Sequence, residues 1–114
     1  MTIYGAPVQG SVACIEDDSV DIIAAPGAGK RLHIMRGVVS IWKANVIVSY
    51  VYLSNGGTPP TIYWSAHTGW PANLISFPID WGDEGIELGL NEPFQFGAYG
   101  YPKAYATFVG YVRG

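Results

Sequence analysis

A chain of 114 residues is one domain, long enough to bury a core without metal ions or disulfides. Hydrophobic residues make up 49% and charged residues 13%, which excludes a disordered chain and leaves an electrically quiet surface suited to association. A net charge of -3 with six scattered basic residues excludes nucleic acid as the main partner, because phosphate binding needs clustered Lys and Arg.

Residues 1–10, with Gly5, Pro7 and Gly10, read as an irregular N-terminal arm ahead of a domain spanning 11–114. They lack a basic region followed by an apolar run, so no export signal is expected and folding in a reducing cytoplasm is the simplest history. Ser11–Ile15 reads as a short strand, Glu16–Ser19 as a solvated polar turn, and Val20–Ala24 as the next strand. The three carboxylates of that turn lack the alternating oxygen ligands of a calcium loop. Cys14 stands alone, so it forms no intrachain disulfide and reads as a small buried hydrophobe.

After Pro26–Gly29, the run from Lys30 to Trp42 predicts the longest strand. Its apolar positions are even at Leu32 and Ile34 but odd at Met35, Val39 and Ile41, and a β-bulge near Met35 or Arg36 accounts for the change. Lys43 and Ala44 then read as a tight hairpin connection to Asn45–Leu53. Ala44 to Ile79 contains no charged residue, yet turns at Asn55–Pro60 and Gly69–Pro71 break it well before the roughly 20 apolar residues of a membrane span. Asn45–Leu53 is apolar on both faces, with Val46, Val48, Tyr50 and Tyr52 on one and Ile47, Val51 and Leu53 on the other. One face fills the core, and the other needs a second cover, another sheet layer or another subunit.

Thr61–Trp64 reads as a short aromatic strand and Ser65–Pro71 as a loop bringing Trp64, His67 and Trp70 together. These rings, with Tyr63 and the turn residue Trp81, are candidates either for stacking on a sugar or for anchoring a partner surface. Asn73–Phe77 predicts a strand ended by Pro78, and Asp80–Gly85 an exposed turn. Gly85–Asn91 alternates, with Ile86, Leu88 and Leu90 inward and Glu87 outward, and is expected to pair with Phe94–Gly100. Ala104–Val112 is apolar on both faces, hence central or interface-covered.

No helical periodicity persists, so the chain is an all-β, single-domain antiparallel β-sandwich of eight or nine short strands. Neither His33 nor His67 has metal-ligand spacing, the single Cys with two His residues makes no triad, and Pro26–Lys30 lacks the P-loop pattern. Neither an enzyme nor a cofactor is expected.

The strand opened by Gly29, Lys30 and Arg31 (Ala28–Ile41), the Gly85–Pro93 segment and the closing Ala104–Val112 strand resemble small virion proteins of tailed bacteriophages. That resemblance covers about Pro26 to Val112. It implies a single jelly roll of about eight strands, assembled as a homotrimer and serving as a capsid decoration (cement) or head-tail accessory protein. Its partners would be further copies and the major capsid protein or another virion protein, with no membrane, and its place the virion, after assembly in the host cytoplasm. Candidate subunit-interface residues are Val46, Val48, Tyr50, Tyr52, Tyr105, Val109 and Tyr111. The alternative is a carbohydrate- or receptor-binding module of a phage tail, contacting host glycan through Tyr63, Trp64, His67, Trp70 and Trp81.

Overall fold

The computed structural model describes residues 5–15, 18–43, 49–68, 73–99 and 102–114. The strands are β1 (Ala6–Ile15), β2 (Asp18–Ile23), β3 (Arg31–Lys43), β4 (Ser49–Ser54), β5 (Ile62–Thr68), β6 (Asn73–Asp80), β7 (Ile86–Glu87), β8 (Phe94–Tyr99) and β9 (Pro102–Arg113). Sheet A runs β1-β9-β3-β6, with β7 also on β3, and sheet B runs β2-β8-β4-β5. All pairings are antiparallel, and consecutive strands β1 to β4 alternate one by one between the two sheets, in the manner of two nested Greek keys. This is the jelly-roll order. The Cα extents, 44 × 32 × 17 Å, are those of a two-layer slab.

Alternation assigns the faces. Val51 and Leu53 of β4, Phe94, Phe96 and Ala98 of β8, and Ala104, Ala106 and Phe108 of β9 are buried between the sheets. Phe94 and Phe108 meet edge-to-face at 5.1 Å across the two layers, and Trp81 stacks on Phe108 at 6.1 Å. Such pairs add about 0.5–1.5 kcal/mol beyond the area they bury. In β3 the inward set is Leu32 and Ile34, then Val39 and Ile41, and the register with β9 shifts between Ile34 and Arg36. The bulge therefore sits where the phase change places it. The Met35 carbonyl it frees from the regular ladder accepts the Trp81 N–H at 2.7 Å.

Several expectations are corrected. Residues 6–10 are no arm, since they form half of β1, paired from Ala6↔Val112 onward. Gly10 is needed there because a Cβ would lie 1.9 Å from the Ile22 carbonyl oxygen. β3 and β4 are not a hairpin but belong to opposite sheets, and Ile86–Glu87 pairs with β3 rather than with β8. Leu90 is exposed rather than inward. Pro78 does not end β6, whose edge position tolerates a residue without an N–H. Ser65–Thr68 continues β5, so His67 is a strand residue.

Asn55, buried in the turn after β4, ties two loops together. Its Oδ1 accepts from the Gly57 and Thr61 N–H groups at 3.0 and 2.9 Å, and its Nδ2 donates to Glu92 at 2.8 Å. Glu92 in turn accepts the Gly89 N–H at 2.7 Å. Tyr63 lies beside this network, and burial, reinforced by the Glu92 charge, raises its pKa.

Candidate functional surfaces

The register of sheet A arranges its outer face in cross-strand rows. Ala13, Tyr105, Ser40 and Ser76 form one row, and Ser11, Thr107, Val38 and Pro78 the next. Then come Gln9, Val109, Arg36 and Asp80, and finally Pro7, Tyr111, His33 and Glu87. The first two rows carry no charge. Their hydroxyls pair with one another, Ser11 with Thr107 at 3.0 Å and Ser40 with Ser76 at 3.1 Å, while Val38 and Tyr105 stand 41% and 51% exposed.

The other half of this face is polar. Arg36 donates to Asp80 at 3.3 Å and Asp83 at 2.8 Å. Asp80 also accepts the Gly82 N–H at 2.8 Å, and that bond, with the Arg36 charge, holds its pKa below the usual carboxylate value. In the last row His33 is buried and stacks on Tyr111 at 4.7 Å, its Nε2 lying 3.6 Å from Glu87. Arg31 reaches the other Glu87 oxygen at 3.4 Å, and the Tyr111 hydroxyl donates to the Glu84 carbonyl at 2.9 Å. A recess of about 380 Å³ opens here, lined by His33, Glu84, Gly85, Glu87, Tyr111 and Arg113. Among the described residues no group of three or more His, Cys, Asp or Glu side chains gathers to hold a metal ion.

On sheet B the outer face carries Tyr50 and Tyr52 of β4, Ser65 and His67 of β5, Gln95 and Gly97 of β8, and Ser19 and Asp21 of β2. Tyr50 stacks on Tyr52 at 5.4 Å and meets His67 at 4.6 Å. Tyr52 lies across Gly97, where a Cβ would come within 2.2 Å of its ring.

The predicted sets are thus split. Of the interface candidates, Tyr105 and Val109 share the outer face of sheet A, whereas Tyr50 and Tyr52 lie on the opposite side of the sandwich, so the two strands do not make one surface. Tyr111 is on the sheet A face but its ring is covered by His33, only 4% exposed, and cannot anchor a partner. Val46 and Val48 lie outside the described residues, as does Trp70. Of the glycan candidates, Trp64 packs inward on Phe77 at 5.3 Å, Tyr63 meets Phe94, and Trp81 joins the core. Their ring faces serve the interior. His67 alone of the described glycan candidates remains outward, with Tyr50 against its ring and Tyr52 stacked beyond Tyr50. The shared face of Tyr50 and Tyr52 follows from the alternation of Ser49–Leu53, whereas Gly69 and Pro71 give the stretch carrying His67 the composition of a loop.

No family model matches this sequence, and no curated protein matches it. Among solved structures the chain is similar to a Bacillus endospore appendage, of a family of disulfide-linked pili, at 11% identity and TM-score 0.48, covering 100% of this chain and 96% of that one. It is also similar to a chain of infectious bursal disease virus, Gx strain, at 11% identity and TM-score 0.40, covering 92% of this chain and 32% of the other. A chain of the T13 particle of the same virus gives 11% identity and TM-score 0.38, covering 95% and 32%. These three come from structural assemblies, a pilus and two virus particles, and none of the three is a tailed-phage protein; the jelly-roll assignment itself rests on the strand order.

Proposed function

We propose that the chain is a structural virion protein, a decoration protein that binds a tailed-phage capsid as an oligomer, a trimer by the resemblance above, and stabilises it. The observation that carries this reading is the charge-free half of the outer face of sheet A, where Val38 and Tyr105 stand exposed among paired hydroxyls. Two rows across four strands cover only about 250 Å² at ordinary strand spacing, well under the ~800 Å² per partner of a stable interface. At ~25 cal/mol per Å² of apolar surface, one such contact contributes a few kcal/mol before association costs. A single copy therefore holds weakly. Several linked copies on a repeating lattice hold firmly, because each later contact forms at high effective concentration. The reading needs adhesion through area and no catalysis.

Its test is co-sedimentation of the purified protein with tailed-phage heads stripped of accessory proteins. The wild type is expected to pellet with the heads, and Val38→Glu and Tyr105→Arg to stay in the supernatant while keeping their fold. Failure of the wild type to pellet, or undiminished pelleting of both variants, contradicts the proposal.

A further inference from the structure

The outer face of sheet B differs from the charge-free half of sheet A in gathering three aromatic rings, Tyr50, Tyr52 and His67, side by side. We propose that it is a binding platform for a neutral hexopyranose, the terminal or side-chain sugar of a glycan. The end of the Tyr52 ring leans over Gly97, a position that a β-carbon at residue 97 would obstruct, and Tyr50 and His67 continue the ring cluster toward the edge strand β5. Tyr50 and Tyr52 are half-buried and His67 is exposed, so the rings keep area open to solvent while their own stacking fixes their tilt.

A pyranose presents a C–H face that covers aromatic surface and a rim of hydroxyls that needs both donors and acceptors. The rim is supplied here. Gln95 donates to Asp21 at 2.7 Å one row from Tyr52, which leaves the Gln95 carbonyl and the second Asp21 oxygen to accept, and Ser65 stands in the Tyr52 row.

Charge decides the sugar class. No Lys or Arg occurs in β2, β4, β5 or β8, and Asp21 is the charged group of this face among the described residues. Sialic acids, uronic acids and sugar phosphates would meet a carboxylate with no cation to offset it, so the platform suits neutral sugars. A shallow site of this kind binds one sugar at about millimolar Kd, and avidity from several copies raises that. The inference does not rest on the capsid reading, because it concerns the opposite face of the sandwich.

The test is backbone and side-chain NMR of the wild-type protein titrated to about 10 mM with methyl glycosides of glucose, galactose, mannose and N-acetylglucosamine, with N-acetylneuraminic acid as the charged control. Saturable shifts at Tyr50, Tyr52, Ser65, His67 and Gly97 with at least one neutral glycoside are expected, with none from the control. His67→Ala and Tyr52→Ala should weaken binding at least tenfold. Since Tyr52→Ala uncovers Gly97, the exposed His67 variant and the wild-type map keep the test independent of folding. Absence of shifts with every neutral glycoside, shifts located elsewhere, equal binding of the control, or concentration-dependent broadening of these signals without sugar, as when a second copy covers the face, would overturn the proposal.

Discussion

The two outer faces of this sandwich obey the same alternation and end in opposite surfaces. On sheet A, in the row of Ser11, Thr107, Val38 and Pro78, the two hydroxyls satisfy one another and the apolar groups stand exposed. On sheet B, Tyr50, Tyr52 and His67 cover one another and the Gly97 backbone. The difference teaches that exposure of an aromatic strand is not by itself an invitation to assemble. What matters is whether its neighbours already occupy the side chains. Sheet A leaves Val38 and Tyr105 without such occupation, and that is why assembly is assigned there.

Glycine substitution separates the sheets most strongly. A β-carbon at Gly110, in the middle of sheet A, would lie 2.1 Å from the His33 backbone oxygen, whereas at Gly97 it meets the movable end of Tyr52. Gly110→Ala should lower unfolding free energy by about 3 kcal/mol or more in urea, and Gly97→Ala by about 1 kcal/mol, with the latter losing the Tyr52 seat. Equal costs would mean that the sheet B rings are as rigid as the sheet A backbone.

The polar devices beside the two sheets differ in burial, and their loss should differ accordingly. Asn55→Ala strands the Glu92 carboxylate and the Gly57 and Thr61 N–H groups, at a cost of about 2–3 kcal/mol by denaturant melts. Arg36 and its two aspartates are exposed, so Arg36→Ala should shift the melting temperature much less. The smallest effect is in acid. Because the pKa of Asp80 is lowered on folding from its ordinary 3.8, its contribution is present above that pH and is lost as pH falls through the lower folded value. Asp80→Asn should flatten that part of the stability profile, removing the small contribution at neutral pH and leaving stability below the folded value nearly unchanged.

Much of this was legible in the sequence. The inward sets of β4 and β9, the central place of β9 and the bulge by Met35 follow from alternation, which is a local property. Strand neighbours are not local: β1 pairs with β9 from the far end of the chain, and nothing in Lys43 or Ala44 tells that β3 and β4 part to different sheets. The same limit hid the last row of sheet A. Tyr111 looked like an interface anchor until the register set His33 against it. Trp64 looked like a ligand platform because Gly69 and Pro71 suggested a loop, whereas β5 runs to Thr68 and its parity turns Trp64 onto Phe77. Gly5, Pro7 and Gly10 masked the alternation of β1 in the same way.

The assignment of adhesion to sheet A is tested most directly by the fraction of protein that co-sediments with stripped tailed-phage heads over a wide concentration range, for the wild type, Val38→Glu and Tyr52→Glu. The account predicts that the wild type and Tyr52→Glu pellet with the heads and that Val38→Glu stays in the supernatant. A wild type that never pellets, or pelleting that survives Val38→Glu and is lost with Tyr52→Glu, would contradict it.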